Sequence, residues 1–145
     1  MPVWIRYAIA AAVFYGLHQV FTKLAAQRIG EGVGGFVVEV AAAVSILGYL
    51  AYLKQSGAWP QQVSGAGMLF SVLTGVCVGA GTIAFFLLFQ RGGPLSAVPM
   101  VLAGGAALMA LAGIVFFREP VHWSRVLGIG LAIGGLYLLQ YGPRQ

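Results

Sequence analysis

Aspartate does not occur among the 145 residues, glutamate occurs three times and cysteine once. These shortages exclude whole classes of chemistry. With two histidines and a lone Cys77, no His/Cys cluster has the spacing of a metal site, and no disulfide framework can form. No glycine-rich segment follows a strand, so nothing reads as a phosphate cradle. An enzyme is therefore not expected, nor a metal or a cofactor. Charge of either sign is also scarce: 8% of residues are charged, 60% are hydrophobic and the mean hydropathy is +0.92. A soluble domain carries about a quarter charged residues, and water would not tolerate so bare a surface. The net charge of +5 comes from eight Lys/Arg against three acids, scattered singly with no patch or stripe, which argues against nucleic acid as a partner.

What the sequence has instead is apolar runs. A bilayer's hydrocarbon core takes about 20 residues of helix, and five such spans are expected at about 3–26, 35–53, 67–90, 95–117 and 123–141. The runs lack the two-residue alternation of a membrane barrel. The fold class read here is all-α integral membrane, with 1–145 as a single transmembrane domain and no room for a catalytic domain outside the bilayer. The first run outlasts the apolar core of a signal peptide and is read as a retained helix. Connections are expected at Arg28 to Gly35, rich in glycine, at Lys54 to Ser64 with Gly57 and Pro60, at Arg91-Gly92-Gly93-Pro94, and at Arg118-Glu119-Pro120. Pro99 falls in the first turns of the fourth span. Trp4, Trp59 and Trp123 flank span ends as interface anchors. Glycine is abundant, at 22 residues, mostly within the spans. Within a bilayer such residues let helix backbones approach; Gly130 and Gly134, and Gly104, Gly105 and Gly113, form association faces, within one chain or between two.

The Lys/Arg distribution gives no orientation. Arg6, Lys54, Arg118 and Arg125 fall on one side, and Lys23, Arg28, Arg91 and Arg144 on the other. The expectation is insertion in both directions and pairing as an antiparallel homodimer. Such a pair reproduces the inverted-repeat plan of many transporters, with a site at the repeat interface.

Gly93-Pro94-Leu95-Ser96-Ala97-Val98-Pro99 leads into an Ala/Gly/Leu helix, then Phe116-Phe117-Arg118-Glu119-Pro120, then a glycine-rich stretch from Trp123 to Tyr137. This resembles the closing two helices of an EamA-type repeat in the drug/metabolite transporter superfamily. Tyr15-Gly16 and Thr22-Lys23-Leu24-Ala25 resemble the family's opening helix. The resemblance covers essentially the whole chain; the last two helices carry the more specific part. Family members commonly hold ten helices as two inverted five-helix repeats, so the resemblance implies one half of a ten-helix transporter, completed by a second copy. A more distant likeness is to the small multidrug resistance proteins. Their motif glutamate has no counterpart here: aligned on Lys23, that position is Tyr15. The likeness therefore does not carry over their proton/drug exchange.

Ionisable side chains inside spans are costly and mark candidate sites. Lys23 and Glu39 lie about equally far from the first connection and are expected at similar depth, able to pair as a functional or a structural ion pair. His18 sits deeper, with Tyr15, Gln19 and Thr22 three or four positions away on one face. Histidine suits proton handling near neutral pH, and it equally suits a packed, hydrogen-bonded interior. Tyr15, His18, Gln19, Thr22, Lys23 and Glu39 are thus the candidate substrate and proton-pathway residues. Phe14 and Phe85–Phe86 line a cavity or face lipid. Glu119, beside His122, is read as a helix-terminus charge or cap.

The expected function is secondary transport by alternating access of small metabolites, amino acids or amphipathic drugs across the inner (plasma) membrane. Helices one to four would supply the pore, and helix five the dimer or repeat interface. The alternative is a non-transporting subunit or scaffold, or a lipid-linked sugar flippase subunit, of a hetero-complex.

Overall fold

The structure, a computed structural model, describes residues 2–59, 61–120 and 123–140. Pro60, His122, Tyr141 and Arg144 lie outside the described residues, as does the side chain of Arg125. Among the described residues the chain forms five helices, one 3₁₀ turn over Leu95–Ala97 and no strand: α1 Val3–Ala26, α2 Glu31–Gln55, α3 Gly65–Gln90, α4 Val98–Val115 and α5 Trp123–Gln140. Helices satisfy every interior N–H and C=O within the segment, which hydrocarbon demands.

Among the described residues, four helical segments are long and apolar enough to cross a bilayer: Val3–Ala26, Glu31–Gln55, Gly65–Gln90 and Leu95–Val115. The 18-residue α5 is outside that set; it opens on Trp123-Ser124-Arg125 and closes on Gln140, which shortens its apolar run. The apolar spans are turned outward. None of the most apolar stretch of α2 is buried within the chain, and Phe36, Val40 and Leu47 stand exposed along it. In water such a surface would drive aggregation; against lipid it carries no cost. Two exposed hydroxyls on the spans are satisfied by their own helix. Ser45 donates to the Ala41 carbonyl at 2.9 Å and Thr74 to that of Phe70 at 2.9 Å, both on exposed faces.

The chain divides into two compact units, Met1–Gly93 and Pro94–Gln145. In the first, α3 packs on both α1 and α2; in the second, α4 packs on α5. The helix ends follow local chemistry. Ser64 caps α3, its side chain accepting from the Gly67 N–H at 3.1 Å. Pro99 occupies the first turn of α4, where its missing N–H costs nothing. At the other end of α3, the Gly92 N–H bonds the Phe89 carbonyl at 3.1 Å and the Gly93 N–H that of Leu88 at 2.9 Å. This is the Schellman arrangement, and it requires the left-handed Gly92, φ 84°. Beyond α4, Arg118 takes φ 50° and the Glu119 N–H returns to the Gly113 carbonyl at 3.0 Å. That fold-back lays the Glu119 carboxylate over Gly113.

The first connection is shorter than the glycine content implies. Helix α2 begins at Glu31, so Gly34 and Gly35 are helical rather than part of a loop. The reason is packing. A Cβ on Gly34 would lie 2.6 Å from Cζ of Phe86, a side chain with no solvent exposure. The bare backbone of α2 is the surface on which α3 rests.

Candidate functional site

Gly35 is the second bare position on that surface: a Cβ there would meet Ile83 and, at 3.9 Å, the Thr82 methyl. One turn further along α2 stands Glu39. Close approach at the two glycines brings α3 near enough for Thr82 to reach it, and Thr82 Oγ1 donates to Glu39 Oε1 at 2.7 Å. The Val78 carbonyl on Thr82's own helix lies 3.0 Å from the same hydroxyl. A hydroxyl has one proton; the shorter contact and the acidic acceptor favour Glu39. Unlike Ser45 and Thr74, Thr82 thus reaches a neighbouring helix, and it is 4% exposed.

The polar stripe of α1 lies on the same unit. Gln19 is 6% exposed and Thr22 2%. Thr22 Oγ1 donates to the His18 carbonyl at 2.8 Å, which satisfies it within α1. His18, half-buried, meets Tyr15 edge to face with ring centroids 6.5 Å apart; Tyr15 itself is exposed. Two atoms of this stripe, His18 Nδ1 and Gln19 Oε1, are buried and make no hydrogen bond with the described residues. Leaving such groups unpaired costs about 1–3 kcal/mol each.

The register of the three helices is set at one end. Gln90, the last residue of α3, donates from Nε2 to the Ile29 carbonyl in the α1–α2 connection at 3.0 Å. Counting inward from there, Gln19 lies seven residues before Ala26, Glu39 eight after Glu31 and Thr82 eight before Gln90. At 1.5 Å per residue all three fall about 10–12 Å from the shared end. His18 joins them. Lys23 does not: three residues from Ala26, it sits about 4–5 Å from the end. Lys23 and Glu39, read from sequence as able to pair, have different partners. Lys23 Nζ lies 6.0 Å from the centre of the Phe89 ring, and Glu39 takes Thr82.

Of the six residues read from sequence, Gln19 and Glu39 thus share a layer with His18, Thr22 is satisfied locally, and Tyr15 and Lys23 have ring partners. The sequence reading missed Thr82 and the seat of Phe86 on Gly34. The doublet Gly34-Gly35 one turn before Glu39 is the signal that a neighbouring helix packs there. Among the described residues, no group of three or more His, Cys, Asp or Glu side chains is placed to hold a metal ion.

An uncharacterised transporter from the cobO 3′ region of Sinorhizobium sp is 25% identical over 138 residues, covering 94% of this chain and 95% of its own. The multidrug resistance protein EbrB of Bacillus licheniformis is 40% identical over 67 residues, 45% of this chain and 56% of that protein. No solved structure gives a significant match. The EamA-like transporter family matches residues 2–141. With apolar helices built to cross a bilayer and a family match over nearly its whole length, this chain is a multi-pass membrane protein that belongs to the EamA-like transporter family.

Proposed function

We propose that the chain is a secondary transporter of small metabolites, amino acids or amphipathic drugs in the plasma membrane. It works by alternating access, as an antiparallel homodimer of copies inserted both ways. The observation that carries this reading is the polar layer of Gln19, Glu39 and Thr82 inside a unit whose outer faces are apolar. Polar groups at that depth are expensive, and a purely structural bundle gains nothing from buried atoms left without partners. In the dimer α5 is a fifth span, residues 1–145 act as one domain, and two copies supply the ten helices of an inverted-repeat transporter. The balanced Lys/Arg distribution supports insertion in both directions. The drug end of the substrate range rests on the likeness to a multidrug resistance protein over 67 residues.

The test is the side on which the C-terminus lies. Cys77 is replaced, a cysteine is placed at Gln145, and labelling of intact cells by a membrane-impermeant thiol reagent is compared with that of permeabilised cells. Labelling of about half the copies before permeabilisation is expected from dual insertion with equal charge on both sides. Labelling from one side alone would sink the self-paired antiparallel pore and point to an oppositely oriented partner chain. Flux in proteoliposomes of the protein alone then separates a transporter from a scaffold.

A further inference from the structure

We infer that the layer at Gln19, Glu39 and Thr82 is a binding site for a protonated amine bearing several N–H groups, a primary ammonium above all. This rests on the transporter reading and names its substrate class.

The argument is a count of donors and acceptors. A carboxylate accepts at about four lone-pair positions, and among the described residues Glu39 receives one proton, from Thr82. Among the described residues, Gln19 Oε1 is a buried acceptor with no partner, on a side chain 6% exposed. His18 Nδ1, at the same depth, is also buried without a partner among the described residues; it accepts or donates according to its tautomer. The common register places these atoms about 10–12 Å in from one shared helix end, anchored by the Gln90 contact with Ile29. The nearest cation on the same helix face, Lys23, is nearer that end and lies over the Phe89 ring. Glu39 and Gln19 Oε1 therefore leave acceptor positions unfilled in the layer, and Glu39 makes it acidic. Its complement is positively charged and presents several N–H groups at once. A primary ammonium has three. A carboxylate is repelled by Glu39, and a neutral alcohol brings no charge. A quaternary ammonium has the charge but no N–H for Gln19 or Glu39. Charge alone would not separate primary from quaternary amines; unsatisfied acceptors do.

The experiment measures equilibrium binding of radiolabelled 2-phenylethylammonium to the full-length protein purified in detergent. Its N,N,N-trimethyl analogue and 2-phenylethanol serve as competitors. The primary amine is expected to bind, the trimethyl analogue at least about tenfold more weakly, and the alcohol not measurably, because hydrogen bonds to charged groups are lost. Glu39→Gln is expected to weaken primary-amine binding by about tenfold or more, with Glu39→Asp retaining most of it. Gln19→Leu is expected to shrink the preference for primary over quaternary amine. Equal binding of the two amines by the wild-type protein overturns the inference, as does no binding of either, or undiminished binding by a monodisperse Glu39→Gln variant. If Glu39→Gln does not fold, the wild-type comparison decides alone. Flux in proteoliposomes from the same preparation separates the two readings. Transport of other solutes without amine binding overturns this inference only, whereas amine binding without any flux overturns the transporter reading only.

Discussion

Thr82 on α3 donates its hydroxyl proton across to Glu39 on α2 at 2.7 Å, although the carbonyl of Val78 on its own helix is within 3.0 Å. The bond joins two spans through the one carboxylate that lies well inside either of them. Thr82→Val and Glu39→Met each remove the bond, and the double variant is expected to cost less than the sum of the two. The coupling should be about 0.6 kcal/mol and at most about 1.7, the average and maximum found for side-chain bonds between membrane helices. Thermal unfolding in detergent of the four-member cycle measures it; a coupling of zero would deny that the bond forms.

The contact between Gly34 and Phe86 leaves no room for a methyl group. Gly34→Ala is expected to cost about 1–3 kcal/mol by overpacking, with partial recovery when Phe86→Leu is added. The control is Gly75→Ala on α3, where a Cβ meets nothing within 4 Å; it should be neutral or gain up to about 1 kcal/mol in helix propensity. A loss of stability at Gly75 would instead report a second molecule against that face.

The link from Gln90 to the Ile29 carbonyl sets the register of the first unit. Gln90→Leu removes it, and the amides around the first connection should exchange with solvent faster. The change in protection should amount to about 1 kcal/mol, the worth of one hydrogen bond. Unchanged exchange by mass spectrometry would show that helix packing alone fixes the register.

Arg118 holds φ 50°, a region that costs a side-chain-bearing residue about 1–2 kcal/mol. Arg118→Gly is therefore expected to raise the unfolding temperature while leaving transport of any identified substrate unaltered. A lower unfolding temperature would mean that the guanidinium makes contacts worth more than the strain.

How much of this was legible in the sequence depends on which forces act locally. Helix α1 runs over Val3–Ala26, as its apolar run predicts, because length and hydropathy alone set it. Helix α2 begins at Glu31, ahead of the expected start, because Gly34 and Gly35 read as loop residues by their behaviour in water, whereas here their bare backbone is a packing surface. Glu39 stood out as a charge in an apolar run. Its partner did not, since a threonine in such a run ordinarily bonds its own helix, as Thr74 does. The expected pairing of Lys23 with Glu39 took the two to lie about equally far from the first connection. With α1 ending at Ala26 and α2 starting at Glu31, the two differ in depth by about 7 Å. The fifth helix was legible as a helix, while its crossing of the bilayer rests on the family plan.

Every polar contact of the layer lies within Met1–Gly93, and this bears on how the protein is made. Synthesis is vectorial, so these three helices leave the ribosome and reach the bilayer ahead of α4 and α5. Glu39 would be stranded in hydrocarbon if its donor came from a later segment; Thr82 arrives in time. The layer can close while the rest of the chain is still being translated, which keeps the costliest residue of the nascent protein sheltered during insertion. A chain arrested after α4 should accordingly show the same Thr82–Glu39 coupling as the complete one, and its absence there would mean that the later helices are needed to close the layer.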